Sequence, residues 1–180
     1  TVARDRVTSN AGAKPGDQLY LTKPLGMGSI TTAGKKQRIG PEEVAVAALV
    51  MATLNRAAAH AMVAAQVTTC TDVTGFGLVG HGYNVAQGSG VTLEFSLPAL
   101  PVFQGAHALA SDGVVSGASA RGKASLGDDV HVAPGCDEAL VSIVFDAETS
   151  GGLLIAVNAE NASILETELA ARDVPIHRVG

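Results

Sequence analysis

The chain has 180 residues, a formal net charge of −5, 47% apolar and 16% charged residues. This excludes a disordered or fibrous chain and leaves a globular one, which at this length buries roughly 70% of its extended-chain surface on folding. With four Phe, two Tyr and no Trp, no run near the ~20 consecutive apolar residues of a membrane helix and no signal pattern, the expectation is a cytoplasmic protein with no nucleic-acid or membrane partner.

The chain opens at Thr1 rather than Met, the start expected of an excised piece, and residues 1–15 are small and polar without a period, which reads as a linker or mobile terminus. Gln18–Lys23 is β-prone and bounded by Gly16-Asp17 and Pro24, and is the first predicted strand. Residues 24–40, with four glycines and the cluster Lys35, Lys36 and Arg38, read as a long functional loop. Residues 1–40 hold seven Lys/Arg against two acids and the remainder five against fifteen, so the first part is a candidate anion-facing edge.

Pro41 with Glu42 and Glu43 starts a helix, and Val44, Ala47, Ala48, Met51, Leu54 and Ala58 recur at helical spacing, predicting one helix over 41–58 with that stripe inward. Val67–Asp72 reads as a strand, Gly75–Gln87 as a helix, Val91–Phe95 as a strand and Pro101–Ser111 as a helix. Residues 113–135 read as loop with one short strand, and Asp137 caps a short helix to Phe145. Gly152–Val157 is an apolar strand, Ala159–Arg172 a helix and Val174–Val179 a closing strand. Alternating strands and helices, some in antiparallel-compatible order, predict an α/β sandwich with a mixed sheet over residues 16–180.

Three constellations carry possible chemistry. In Thr71-Asp72-Val73-Thr74-Gly75-Phe76-Gly77-Leu78, a carboxylate leaves a strand and meets a glycine turn. That arrangement suits a hard cation and a phosphate approached by backbone N–H groups, and equally suits a helix cap by Asp72 or Thr74. In Asp146-Ala147-Glu148-Thr149-Ser150-Gly151-Gly152, hydroxyls and glycines can hold an anion or form a turn into a buried strand. Leu21-Thr22-Lys23-Pro24-Leu25-Gly26-Met27-Gly28 places a lysine before a glycine loop but lacks the G-K-[ST] ending of a Walker P-loop. The histidines 60, 81, 107, 131 and 177 are scattered and read as structural or exposed. Cys70 and Cys136 have no C-x-x-C spacing and read as reduced thiols, Cys70 lying close enough to Asp72 to face the same site.

Together, Asp17–Ile30, Met51–Ala58, Thr71–His81 and Asp146–Leu154 resemble the second half of the selenophosphate synthetases, whose segments read D-x-L-x-L-T-K-P-L-G-T-G-I, M-x-x-L-N-x-x-A, T-D-V-T-G-F-G-L-L-G-H and D-P-Q-T-S-G-G-L-L. Departures are Met27 for Thr, Val79 for Leu, and Ala147 and Glu148 for Pro and Gln; Arg121 is followed by Gly122 where the family often has Asn. The resemblance implies a C-terminal domain like that of aminoimidazole ribonucleotide synthetase. It implies an enzyme converting ATP, selenide and water to selenophosphate, AMP and phosphate with Mg²⁺, in which Asp72 is a metal ligand and Thr74 and Gly75 lie at the nucleotide. It also implies that the reactive Cys or selenocysteine and the other metal-binding aspartates belong to an N-terminal half absent here. The present chain would then hold no catalytic residue of its own, and the full-length protein would be a homodimer joined chiefly through that half. The alternatives are another synthetase of the superfamily, of ribonucleotide or hydrogenase-maturation type, or a non-catalytic interaction domain.

Overall fold

A computed structural model describes residues 7–126 and 129–180. Its centre is a four-stranded sheet in the order β2-β3-β1-β4, formed by β1 (Gln18–Leu21), β2 (Thr69–Asp72), β3 (Leu153–Val157) and β4 (His177–Arg178). All three strand pairings are antiparallel, with Leu19 opposite Ala156 and Asp72 opposite Leu153. A parallel component comes from Ser9, which bridges Thr69 at the β2 edge. The expected α/β sandwich with a mixed sheet is therefore present.

β3 is apolar at all five positions and buried at all five, as a central strand covered on both faces requires. Its alternation divides the core. Leu154 and Ala156 join Leu19, Leu21, Leu78, Ile143 and Phe145 on one face, while Leu153, Ile155 and Val157 join Tyr20, Ala61, Leu165 and Leu169 on the other. The first face is covered by α4 (Gly77–Ser89) and α7 (Glu138–Phe145), the second by α3 (Arg56–Ala64) and α8 (Ala159–Ala170). Both α7 and α8 begin at a capping side chain, Asp137 accepting from Leu140 N and Asn158 from Asn161 N.

Several sequence expectations change. The predicted loop 24–40 contains α1 (Met27–Lys35), whose Met27, Ile30 and Ala33 are buried. Burial of that stripe outweighs the glycines, and Gly28 is required there because a Cβ would lie 2.4 Å from Asp146 Oδ2. The single helix 41–58 is two, α2 (Pro41–Ala52) and α3, broken at residues 53–55, and its inward stripe is incomplete because Ala48 and Leu54 face solvent. Span length and apolarity sufficient for a membrane are reached over Pro41–Ala64, but only across this break. Residues 91–95 form no strand, and the helix expected over 101–111 shortens to α5 (Ala106–Ser111). Among the described residues of the stretch 113–135 there is α6 (Gly117–Leu126) and no strand, residues 127–128 lying outside them.

Residues 1–6 of the expected mobile terminus lie outside the described residues. Residues 9–13 are fastened: Ser9 N donates to Thr68 O and Cys70 N to Ser9 O, while Gly12 N and Ala13 N donate to Ser89 Oγ. Ala13 is buried in the core.

Candidate functional site

The three constellations, far apart in sequence, meet at one end of the sheet. β2 ends at Asp72 beside Leu153, and Val73 N continues the ladder by donating to Gly152 O at 2.9 Å. Glu148 N donates to Thr74 O at 2.9 Å, so the turn before β3 and the turn after β2 are joined through their backbones. From the other side Thr22 Oγ1 accepts from Leu153 N at 2.9 Å, and Lys23 Nζ donates to Ser150 O at 2.9 Å and Thr53 O at 2.6 Å. Asn55 Nδ2 donates to Gly151 O at 3.0 Å, bringing the end of α2 into the same cluster. Gly151 allows this closure, since a Cβ would lie 2.2 Å from Val73 O.

Asp72 is exposed at the rim of this cluster. Gly75 is open as well, with no atom within 4 Å of a Cβ built on it. Thr74 is half-buried, its Oγ1 hydrogen bonded to His81 Nε2 at 3.0 Å. Phe76 covers His81 with ring centroids 5.7 Å apart, and is itself 70% exposed. Burial lowers the His81 pKa from its ordinary value and nearby Asp72 partly opposes that shift, which favours the neutral ring. The helix-cap reading of Asp72 and Thr74 does not hold, because α4 has no side-chain cap bond.

The two carboxylates of the second constellation face inward. Asp146 is fully buried and accepts from Ser116 N, Ser116 Oγ and Ala147 N. Glu148 accepts from Gly26 N at 2.6 Å and Met27 N at 3.1 Å, which places it on the positive end of α1, where Gly26 takes a left-handed φ of 110°. Burial pushes the Glu148 pKa up to about 8 against the pull of those two N–H groups. Through Asp146 and Glu148 this constellation braces the site turn against α1 and the Ser116 segment, while the hydroxyl-bearing Thr149 and Ser150 stay exposed. Lys23 is buried beside it with its pKa lowered by desolvation. Cys70 does not face an open site: it packs against the α3–α8 core, and burial followed by Asp72 raises its pKa to about 12. Arg121 is exposed on α6.

Among the described residues no group of three or more His, Cys, Asp or Glu could hold a metal ion. The sequence reading missed the inward role of Asp146 and Glu148 and the contacts of Asn55 and His81. Asn55 and His81 stand inside the resembling segments, and that was the available signal.

Comparison with known proteins agrees with this architecture. The family described as AIR synthase related protein, C-terminal domain, matches residues 14–180. The selenide, water dikinase of Caldanaerobacter subterraneus subsp. tengcongensis is 44% identical over 165 residues, 92% of this chain and 48% of the relative. That of Trichlorobacter lovleyi is 41% identical over 174 residues, 97% of this chain and 50% of the relative. The chain thus spans about half the length of the curated relatives it matches. Among solved structures, hydrogenase maturation protein HypE matches with a TM-score of 0.69 at 18% identity, covering 99% of this chain and 48% of that one. Thiamine monophosphate kinase from Aquifex aeolicus matches with a TM-score of 0.60 at 15% identity, covering 96% and 49%. With its antiparallel sheet flanked by helices on both faces and the match running from residue 14 to its end, the chain belongs to the AIR synthase related protein C-terminal domain family.

Proposed function

We propose that this chain is the second half of an ATP-dependent selenide, water dikinase, which converts ATP, selenide and water to selenophosphate, AMP and phosphate. The observation that carries the reading is 38–44% identity to curated selenide, water dikinases over 87–99% of the chain. A HypE structure of similar fold was solved in complex with ATP, in keeping with an ATP-dependent reading.

On this reading Asp72 binds Mg²⁺, which when present neutralises and aligns phosphate oxygens. Its exposure at the strand end leaves the carboxylate free to reach a ligand held mainly by another part of the protein. Gly75 lets a phosphate approach the backbone closely, and Thr74 orients the turn through His81 and Glu148. Cys70 packs against the α3–α8 core with its thiol pKa pushed up to about 12, which opposes the thiolate a nucleophile needs. The reactive group, the remaining carboxylates, the dimer contacts and the cytoplasmic setting belong to the proposal for the full-length protein.

The test is Asp72→Ala in full-length protein, read as AMP formation across a Mg²⁺ titration. Activity should fall by at least the roughly 10–100-fold that even outer-shell partners of metal sites cost. Thermal unfolding should be unchanged, because Asp72 is exposed. Wild-type turnover and Mg²⁺ dependence in the variant would remove Asp72 from the site.

A further inference from the structure

Helix α2 conflicts with its own sequence. From Val44 to Ala52 it has no polar residue, yet of its twelve residues only Ala47 is buried. Its outward positions Ala45, Val46, Ala48, Leu49 and Ala52 are all apolar and exposed, Val46 at 54% and Leu49 at 71%. A helix apolar all round is one that is covered, whereas a solvent-facing helix carries charge on its outer side. Leu54, in the break after α2, is 72% exposed and extends the same surface.

We infer that the outer face of α2, with Leu54, is the docking surface for the half of the full-length protein that this chain does not span. The inference rests on the dikinase reading only in taking such a half to exist, and it goes beyond it in saying where that half is seated. The curated relatives are about twice as long as this chain, so a body of comparable size is available. Continuity with the candidate site selects that body over other occupants. Lys23 holds Thr53 O and Ser150 O and Asn55 holds Gly151 O, so Leu54 projects from the segment bolted to the turn before β3, to which Val73 N pairs next to Asp72. A body completing the site at Asp72 has Leu54 and α2 beside it through that bolted segment, and apolar α2 supplies the adhesion that a rim carrying a carboxylate does not. A bilayer is disfavoured because α2 has twelve residues, about 18 Å of helix against roughly 30 Å of hydrocarbon.

The experiment uses full-length protein with the photo-crosslinking residue p-benzoylphenylalanine placed at Leu49 or Leu54, and at Ile164 on α8, 46% exposed, as a control. Irradiation followed by peptide mapping should join positions 49 and 54 to peptides outside residues 1–180 within one polypeptide, at a yield independent of protein concentration, and the control should give at least tenfold less. Crosslinks to residues 1–180 of a second copy, crosslinks only to added phosphatidylglycerol vesicles, or none at all would each overturn the inference. Turnover of unmodified full-length protein is measured separately. Absent turnover with the expected crosslinks refutes the dikinase reading alone, and normal turnover without them refutes the docking surface alone.

Discussion

Glu148 shows how one atom group can be read wrongly from sequence. The resembling family has Gln there, and a charged side chain at that point looks like a change of binding chemistry. Buried to 3% exposure and raised to about 8, Glu148 is largely protonated at neutral pH, a neutral near-isostere of Gln. Its folded pKa lies above the ordinary 4.5, so the folded state binds more protons between about pH 4.5 and 8. Its contribution to stability is complete below about pH 4.5 and is lost as pH rises through about 8. His81 acts with the opposite sign: its lowered pKa makes the unfolded state bind more protons, so its contribution falls as pH drops below about 6.5. Glu148→Gln isolates the first effect. Melting curves from pH 5 to 9 should show the variant gaining on wild type as pH rises, by on the order of a few kcal/mol. Parallel curves would show that Glu148 does not titrate in this range.

At the scale of elements, what matters is how the turns after β2 and before β3 are locked together. Two glycines in adjoining turns differ sharply in their surroundings. Gly151 packs against Val73 O and Glu148 Cβ, so Gly151→Ala forces the turns apart and should cost about 1–3 kcal/mol. That is roughly 2–4 °C of melting temperature per kcal/mol for a chain of this size. Gly75 faces open space, so Gly75→Ala should leave the melting temperature within about 1 °C, surface changes being worth about ±0.5 kcal/mol or less. On the proposed reading the same Gly75→Ala lowers ATP turnover in full-length protein, because the added methyl occupies the ligand's approach. A large loss of stability at Gly75, or none at Gly151, would show that the turns are not arranged as described. The same scale explains the hidden helix α1: glycines and threonines mark a loop by local propensity, but Met27, Ile30 and Ala33 gain a buried partner only when α1 meets its neighbours.

At the scale of the molecule, the chain is a two-faced sheet with a rim that carries one exposed carboxylate and no assembled metal cluster among the described residues. On the proposed reading the isolated chain should therefore give no AMP above background when supplied with ATP, Mg²⁺ and selenide, because phosphoryl transfer needs positioning from both sides of the phosphate chain. Robust AMP formation by the isolated chain would sink that division of labour. The sequence by itself determined the sandwich architecture, the apolar strand β3, the helix α7 with its Asp137 cap, the helix α8, and the three constellations that the sheet brings together. Those features depend on local periodicity, caps and contiguous motifs, which act within a few residues. Only the tertiary structure decided that α1 is helical, that the helix over 41–58 breaks at 53–55, that Asp146 and Glu148 brace the fold instead of facing a ligand, and that α2 is left uncovered. Each depends on burial against segments tens of residues away, and such burial decides conformation and protonation once the sheet brings those segments together.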